Sequence, residues 1–237
     1  MIVTPIKTRI FRENEDLIAF IRAHVKKIPE RSVLVVTSKI VALAEGRVMS
    51  LASEREKAEV IKRESEYAIK TKWAWLTIRD GAIMASAGID ESNANGKMIL
   101  FPKDCHKSAK KIYKKIKKLY KLKKFGILIT DSRIMPLRSG TVGMGMGFFG
   151  FKWLKSYIGK SDIFGRRFEA SKVNVADSLA TSAVFCMGEG RERMPLAIIE
   201  DISVEWSERV SKKYLRIPLR DDLYRPLFVG ISKRKRS

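Results

Sequence analysis

The chain has 237 residues, of which 45% are hydrophobic, so it is long enough to bury a core and too apolar to be disordered. No apolar run reaches the ~18 to 20 residues of a membrane span, and the N-terminus lacks a signal-peptide pattern, so we expect a cytosolic protein that does not enter a membrane. Lys and Arg number 48 against 26 Asp and Glu, and this net charge of +22 predicts acidic partners: nucleotides, polyglutamate, acidic protein tails or RNA.

No repeat or linker divides the chain, which predicts one domain over residues 1–237, built as a unit or as two joined lobes, with a flexible basic tail at 232–237. Apolar runs predict strands at Ile2–Ile10, Val33–Val36, Trp73–Ile78, Ala82–Ser86, Met98–Phe101, Gly126–Thr130 and Leu196–Val204. Helical periodicity predicts helices at Glu15–Lys27, Glu54–Glu66, Asp104–Leu122 and Val175–Met187. Their irregular alternation predicts an α+β fold with a mixed, largely antiparallel sheet and surrounding helices.

Local signals mark several boundaries of these elements. Asp80 and Gly81 tolerate positive φ and predict a tight hairpin between the third and fourth strands. Asp104 is expected to cap the third helix, and Gly188 to end the fourth.

The metal-binding and redox residue types are sparse. Cys105 and Cys186 fall on separate predicted helices, which predicts reduced thiols without a disulfide. With only His24 and His106 besides, the chain has no zinc-ligand spacing.

The segment ASAGIDESNANG, residues 85–96, places a carboxylate, a hydroxyl and a carboxamide on a turn directly after an apolar strand. Asp90, Ser92 and Asn93 carry these groups, and Gly88 allows the backbone to turn tightly. The segment therefore suits a metal or phosphate ligand. Asp and Ser also cap ordinary turns in many soluble proteins, which is the competing interpretation.

A second turn of this kind follows the strand GILIT. Asp131 and Ser132 emerge there, beside a loop that holds Arg138 and several glycines from Gly140 onward. Two strand-end aspartates are the minimum for a shared magnesium site, so we expect Asp90 and Asp131 to meet in space.

The segment 107–124 is rich in lysine and predicts an amphipathic helix. Its apolar stripe would contain Ile112, Ile116, Leu119 and Tyr120. The lysines around that stripe fit either a solvated helix back, which we favour, or a binding surface for an acidic partner.

Six motifs follow one another along residues 1–200: TSKIVALAEGR (37–47), ASAGIDESN (85–93), ITDS with PLRSG (129–140), SDIFGRRF (161–168), NVADSLATSAVFCMGEG (174–190) and MPLAII (194–199). Their order resembles that of one family, the gamma-glutamyl ligases of coenzyme F-420 biosynthesis. Each motif is weak alone, but six in the same order make chance resemblance improbable.

The resemblance implies an intertwined homodimer that joins the amino group of L-glutamate to a carboxylate acceptor. It implies GTP or ATP as co-substrate and two Mg²⁺ or Mn²⁺ ions, with an acyl phosphate as intermediate. An acidic protein tail or a growing polyglutamate product would suit the net charge of +22 as acceptor.

Carried over motif by motif, the resemblance assigns individual residues. The metal positions are Asp90, Asp131, Ser132 and Glu189, and the nucleotide-binding positions are Ser38, Lys39, Asn93, Gly188, Glu189 and Gly190. Arg138 matches an arginine that would bind the triphosphate or an acceptor carboxylate, and with Asp131 it forms the expected catalytic pair. Arg191 or Arg193 would add positive charge beside the glycine loop.

Several of these residues have plain structural alternatives. Ser38 could be a helix N-cap, Lys39 a solvated lysine and Gly188 a helix C-cap. Arg166 and Asp177 also match family positions, but an acid such as Asp177 at a helix N-terminus is favourable for structural reasons alone.

The chain departs from the family pattern at two places. Leu43 stands where the family usually has a nucleotide-binding lysine, and Thr141, Val142 and Gly143 stand where polar residues are usual. Since loops near metal centres usually select the substrate, these changes predict an altered acceptor or nucleotide.

A function from another class fits the charge as well: a non-catalytic RNA-binding protein on the same fold, using the helix at 107–124. Aromatic residues are not interleaved with the basic ones in a stacking pattern, which weighs against it. The retained acids Asp90, Asp131 and Glu189 favour an enzyme. The chain has neither a P-loop nor a GxGxxG motif after a strand.

Overall fold

The structure is a computed structural model and describes residues 1–50, 53–209 and 217–228. Its helices are α1 Leu17–His24, α2 Ser38–Ala44, α3 Glu54–Glu64, α4 Cys105–Tyr120 and α5 Val175–Met187. Its strands are β1 Ile2–Ile6, β2 Val33–Thr37, β3 Val48–Ser50, β4 Tyr67–Lys70, β5 Trp75–Arg79, β6 Ala82–Ala85, β7 Lys97–Ile99, β8 Gly126–Ile134, β9 Thr141–Phe151, β10 Leu154–Ser156, β11 Lys172–Asn174, β12 Leu196–Glu200 and β13 Trp206–Ser207. The expected tail at 232–237 lies outside the described residues.

The main sheet has six strands in the order β1-β12-β2-β8-β9-β13. β2 and β8 pair in parallel, and the other neighbours pair antiparallel. Three smaller sheets, β4-β5-β6, β3-β7 and β10-β11, surround it. The predicted α+β class with a mixed, largely antiparallel sheet is therefore confirmed.

The sheet buries both of its faces, because alternate residues of its central strands are apolar on each side. Ile127 and Ile129 pack on one face with α1 and α4, through residues such as Phe20 and Ile116. Leu128 packs on the other face with α5. A central strand buried on both sides reads as a continuous apolar run, which is why VLVVT and GILIT were recognisable in the sequence.

Several predicted boundaries are confirmed. The β5–β6 hairpin turns at Asp80 and Gly81, whose φ angles are 52° and 74°. Asp104 caps α4 by accepting a hydrogen bond from the backbone N–H of Lys107, and Gly188 is the C-cap of α5. Both cysteines are free.

The prediction of a glycine-rich loop after Arg138 at the site is wrong, because this segment forms strand β9. Cβ atoms added at Gly143 and Gly147 would lie 2.3 Å from the carbonyl oxygen of Ala180 in α5 and 2.4 Å from that of Cys105 in α4. A β-bulge between Ile129 and Thr130 shifts the register, so these glycines face opposite helices. The glycines let two helix backbones approach the sheet, and the effect of this departure on the acceptor or nucleotide stays a prediction.

Two further expectations were incomplete. Helix α2 begins at Ser38 with Thr37 as its N-cap, so the alternative in which Ser38 is the N-cap is wrong; the helix was not among those predicted because the apolar run of β2 is followed by it with only Thr37 between them. On α4, Ile112 and Ile116 are buried as predicted, but Leu119 is 39% exposed. None of the described helices has the length and apolar character needed to cross a membrane.

Candidate active site

The candidate site lies at the carboxyl end of the parallel pair β2 and β8. The parallel pairing ends at Thr37 and Thr130, so Ser38, which begins α2, and Asp131, which continues β8 beside β9, lie at the same edge. β12 runs antiparallel beside β2 from Leu196, so the segment before Leu196 reaches that edge from the other direction. Sheet topology therefore assembles distant segments at one place.

A cavity of about 900 Å³ opens at this edge. Its wall includes nearly all the site residues predicted from the sequence: Ser38, Lys39, Asp90, Asn93, Asp131, Ser132, Gly188, Glu189 and Gly190. Arg138 is the exception; it is exposed on the turn between β8 and β9 and does not line the cavity. Its catalytic assignment has no support from this geometry.

A strained turn delivers Asp90 to the cavity. Ser86, Ala87 and Gly88 have successive φ angles of 47°, 57° and 70°, of which only the last is routine for its residue type. The backbone N–H of Ala87 donates to the Thr77 hydroxyl at 2.8 Å, which holds this conformation. Consecutive non-glycine residues in the left-handed region cost energy and persist only where the surroundings impose them, as at functional sites.

Lys39 and Asp90 form the main ion pair of the cavity, with 2.7 Å between the Lys39 Nζ and the Asp90 Oδ2. Lys39 also donates to the carbonyl and hydroxyl oxygens of Ser92, and the Ser92 N–H donates to Asp90. Burial opposes ionisation of Asp90, but the hydrogen bond and charge of Lys39 outweigh it and lower the pKa of the carboxyl. Lys39 is thus not a free surface lysine.

Asp131 has the opposite electrostatic environment. Burial raises the pKa of its carboxyl to about 7, and the negative charges of Asp90 and Glu189 act in the same direction. The N–H of Ser132, which donates at 2.9 Å, and the charge of Lys39 only partly offset this. Beside it, the Thr130 hydroxyl is buried without a hydrogen-bond partner among the described residues. A cation at this place would stabilise the ionised form of Asp131.

The donor chemistry of the cavity fits a hard divalent cation. Asp90, Asp131 and Glu189 offer carboxylate oxygens and Ser132 a hydroxyl, the ligand types that Mg²⁺ and Mn²⁺ prefer. Within the described ranges no three acids, histidines or cysteines are gathered closely enough to form a metal-binding group. The Lys39 ammonium is the cation that now neutralises Asp90.

The loop after α5 closes another side of the cavity. Its Gly188 and Gly190 flank Glu189, and the Gly190 N–H donates to the Glu192 carboxylate at 2.8 Å. The Asn93 carboxamide donates to the Gly190 carbonyl at 3.3 Å, which links this loop to the Asp90 turn. A carboxylate thus already occupies one backbone N–H of the loop, as an anionic ligand would.

Asp177 and Arg166 lie outside the cavity lining. Asp177 accepts hydrogen bonds from the Gly145 N–H at 2.9 Å and the Asn174 carboxamide at 2.8 Å, so it fastens β9 to the start of α5. Arg166 lies on an exposed turn, where its backbone N–H donates to Asp162. The structural interpretation of Asp177 fits these contacts.

Other cavity residues were missed from the sequence. The segment 8–11 lines the cavity, and the Thr8 N–H donates to the Arg193 carbonyl at 2.9 Å. Thr130 and Leu43 also line it. Leu43 departs from the family pattern, which is a signal in the sequence. Neither Thr130 nor the segment 8–11 has one, because an apolar strand or an extended segment has the same local pattern whether or not it lines a cavity.

The fold and this site define an α+β protein with a cavity of mixed charge, in which lysine, carboxylates and a glycine loop meet at one sheet edge. The sequence model of the F420-0:Gamma-glutamyl ligase family matches residues 5–201, a range that contains every residue of that meeting point. The chain belongs to this family.

Relatives of known name agree. The chain is 32% identical to the Coenzyme F420:L-glutamate ligase of Archaeoglobus fulgidus over 213 residues, covering 82% of this chain and 85% of the relative. It is 32% identical to the protein of the same name from Methanococcus maripaludis (strain DSM 14266), covering 86% and 83%. With that of Methanopyrus kandleri it shares 29% identity, covering 92% and 94%.

Proposed function

We propose that this chain is a nucleotide- and divalent-metal-dependent ligase that joins the amino group of L-glutamate to a carboxylate acceptor. Family membership and the names of the relatives support a glutamate ligase. The observation that carries the proposal is the meeting of Lys39, Asp90, Asp131 and Glu189 at one cavity, although they come from four separate segments of the chain.

The chemistry explains why such a cavity is needed. A free carboxylate resists attack by an amine because its oxygen is a poor leaving group. Transfer of the γ-phosphoryl group of GTP or ATP to the acceptor carboxylate gives an acyl phosphate. The glutamate amine then attacks its carbonyl carbon, and phosphate departs as the amide bond forms. Positive charge aimed at the phosphoryl oxygens stabilises the first step.

Asp90, Asp131, Ser132 and Glu189 would hold one or two Mg²⁺ or Mn²⁺ ions, which supply positive charge at the phosphoryl oxygens. Lys39 contacts one oxygen of the Asp90 carboxylate, which keeps further lone pairs for a cation. The Lys39 ammonium lies at the same cavity wall, where it would also suit a phosphate oxygen.

Ser38, Asn93, Gly188 and Gly190 would position the nucleotide. Gly190 presents its backbone N–H without a side chain in the way, Gly188 lets the chain turn there while its own N–H donates to the Val184 carbonyl at 3.0 Å, and Ser38 lies at the first turn of α2. Glu192 would have to leave the Gly190 N–H when a phosphate approaches it.

The acceptor is proposed by class only. The relatives are named for coenzyme F420, and a small molecule of that kind or a polyglutamate chain both present the carboxylate that the reaction needs. No described contact of the cavity favours the alternative of a non-catalytic RNA-binding protein.

Mass spectrometry of products tests the proposal. Candidate acceptors, among them coenzyme F420 with its last glutamate removed and oligo-γ-glutamates, would be incubated with L-glutamate, GTP or ATP, and Mn²⁺ or Mg²⁺. We expect a product heavier by one glutamate residue, together with nucleoside diphosphate and phosphate. Asp131→Asn should abolish it, whereas Asp162→Asn, on the exposed turn outside the cavity, should retain it. Nucleotide consumption without a glutamylated product from any acceptor would refute the proposal.

A further inference from the structure

A second recess adjoins the cavity and has no role in the proposed chemistry. We name it the outer groove; it is about 780 Å³ in volume and is lined by Arg9, Ile10, Arg12, Glu13, Glu15 and Arg193. Arg9, Ile10 and Arg193 also line the cavity, so the two spaces are continuous. Any ligand that extends out of the cavity on this side enters the outer groove.

The groove already contains one example of carboxylate recognition. Both terminal nitrogens of the Arg9 guanidinium donate hydrogen bonds to the Glu15 carboxylate. Glu15 also accepts a hydrogen bond from the Arg12 backbone N–H at 3.0 Å. The hydrogen bond from Arg9 lowers the pKa of Glu15 to about 2. A forked contact of this kind suits a planar carboxylate and leaves the other arginines of the groove unused.

Both acids of the groove are engaged. Glu15 is held by Arg9, and the Glu13 carboxylate pairs with Lys97 at 2.7 Å. Arg12 and Arg193 form no ion pair with a described residue, and both are exposed at the groove. The groove therefore offers two unpaired guanidinium groups beside the exposed apolar side chain of Ile10.

We infer that the outer groove binds the oligocarboxylate end of the acceptor or product, with Arg12 and Arg193 as the carboxylate-binding residues. This inference rests on the proposed function, because each added glutamate gives the product one more free carboxylate, which must lie outside the reacting centre. Phosphate groups would also bind arginine. The carboxylate is favoured because the groove already holds one carboxylate, that of Glu15, in a forked arginine contact, and because Lys39 and the glycine loop line the cavity and not the groove.

Equilibrium binding without nucleotide or metal tests the inference, with γ-linked triglutamate and L-glutamate as probes in titration calorimetry. We expect triglutamate to bind at least tenfold more tightly than glutamate. Arg12→Gln, which lines the groove alone, should weaken triglutamate binding about fivefold to tenfold and change GTP and glutamate binding less than twofold. Arg12→Lys should recover only part of the loss, because an ammonium lacks the fork.

Arg22→Gln is the matched control, since Arg22 is an exposed arginine of α1 that lines neither space. Equal affinity for triglutamate and glutamate in the unaltered protein would overturn the inference, as would an equal loss in Arg12→Gln and Arg22→Gln. A parallel loss of GTP binding in Arg12→Gln would assign the groove to phosphate and also overturn it.

The two proposals fail separately. If no acceptor is glutamylated but triglutamate binding depends on Arg12, the ligase proposal falls and the carboxylate groove stands. If ligation occurs and the affinity for triglutamate does not depend on Arg12, the groove inference is refuted and the ligase proposal stands.

Discussion

Asp131 is the residue on which the proposed chemistry depends most. Its carboxyl group is half-buried in the cavity wall near two other acids, and it has no ion pair of its own among the described residues. We expect Asp131→Asn to lower ligase turnover by at least about 100-fold, because a donor to the phosphoryl-stabilising cation is lost. Turnover under saturating nucleotide and Mn²⁺ is the measurement, and normal metal-dependent turnover of this variant would contradict the assignment.

The same carboxyl group makes a prediction about pH and stability. Burial raises the pKa of Asp131 to about 7, against about 3.9 in an unfolded chain. Because the folded-state pKa is raised, the contribution of Asp131 to the free energy of unfolding is fully present below about pH 4 and is lost as the pH rises through about 7. With a chelator present, we expect the free energy of unfolding of the unaltered protein to fall across this window by about 1 to 3 kcal/mol more than that of Asp131→Asn, after allowance for the partial solvent access of the cavity.

Urea unfolding at pH 5 and pH 8 in EDTA measures that difference. Asp162→Asn serves as the control and should keep the pH dependence of the unaltered protein. If the free energy of unfolding of Asp131→Asn changed between pH 5 and pH 8 as much as that of the unaltered protein, the raised pKa of Asp131 would be contradicted.

Leu43 gives a prediction about nucleotide selection. It lines the cavity and packs against Ala94 and Ile99, at the position where the resemblance led us to expect a lysine. We expect Leu43→Lys to change the ratio of GTP to ATP affinity at least threefold, because a cation would enter the part of the cavity proposed to bind nucleotide. Titration calorimetry with both nucleotides checks it; unchanged affinities for both would show that residue 43 does not contact nucleotide in this chain.

At the scale of elements, β9 is held between two helices by its glycines. A Cβ at Gly143 would lie 2.3 Å from the Ala180 carbonyl oxygen, a backbone atom of α5 that cannot move aside cheaply. We expect Gly143→Ala to lower the free energy of unfolding by about 2 to 3 kcal/mol. Gly140→Ala meets no atom within 4 Å and should cost only about 1 kcal/mol, from its φ of 88°. Similar losses in the two variants would mean that β9 and α5 are not closely packed.

The lysine face of α4 is an element of a different kind, because it lines neither the cavity nor the outer groove. Lys111, Lys114 and Lys118 follow one another at helical spacing and are exposed, whereas Lys117 pairs with Glu208. Replacing the first three by Gln should raise stability by up to about 1 kcal/mol at low salt, since like charges at this spacing repel. The gain should vanish in 1 M salt, where such charges are screened.

The same triple variant tests the binding alternative left open by the sequence. Retention on an immobilised polyanion should weaken while ligase turnover stays within twofold. A collapse of turnover with the fold intact would show that α4 takes part in the reaction. The control is Lys117→Gln, which removes a lysine of the same helix but breaks its ion pair with Glu208.

At the scale of the whole molecule, homodimer assembly stays a prediction from the resemblance. The outward face of the β4-β5-β6 sheet supplies a candidate surface: Ile69, Leu76 and Ile83 are 44%, 41% and 36% exposed, and Ile69 and Leu76 pair across the strands. We expect light scattering to give a dimer mass and Leu76→Glu to shift it towards the monomer. A monomer mass for the unaltered protein at micromolar concentration would contradict the assembly.

The sequence by itself determined the elements that are locally coded. β2 and β8 are continuous apolar runs, the Asp80 and Gly81 turn needs positive φ, and the caps of α4 and α5 depend on Asp104 and Gly188, so each was readable without knowledge of its neighbours. The resemblance in turn identified the candidate site residues, because motifs such as ASAGIDESN and MGEG keep their residue types and order wherever the fold places them.

Tertiary structure alone decided how those motifs meet. Parallel pairing of β2 with β8 brings Lys39 and Asp131 to one edge, and only this proximity, with burial, gives Asp131 its raised pKa. It also showed that Gly143 and Gly147 serve helix packing and that Arg138 lies outside the cavity. Strand pairing, burial and the register shift of a β-bulge depend on residues far apart in the chain, and no local pattern records them.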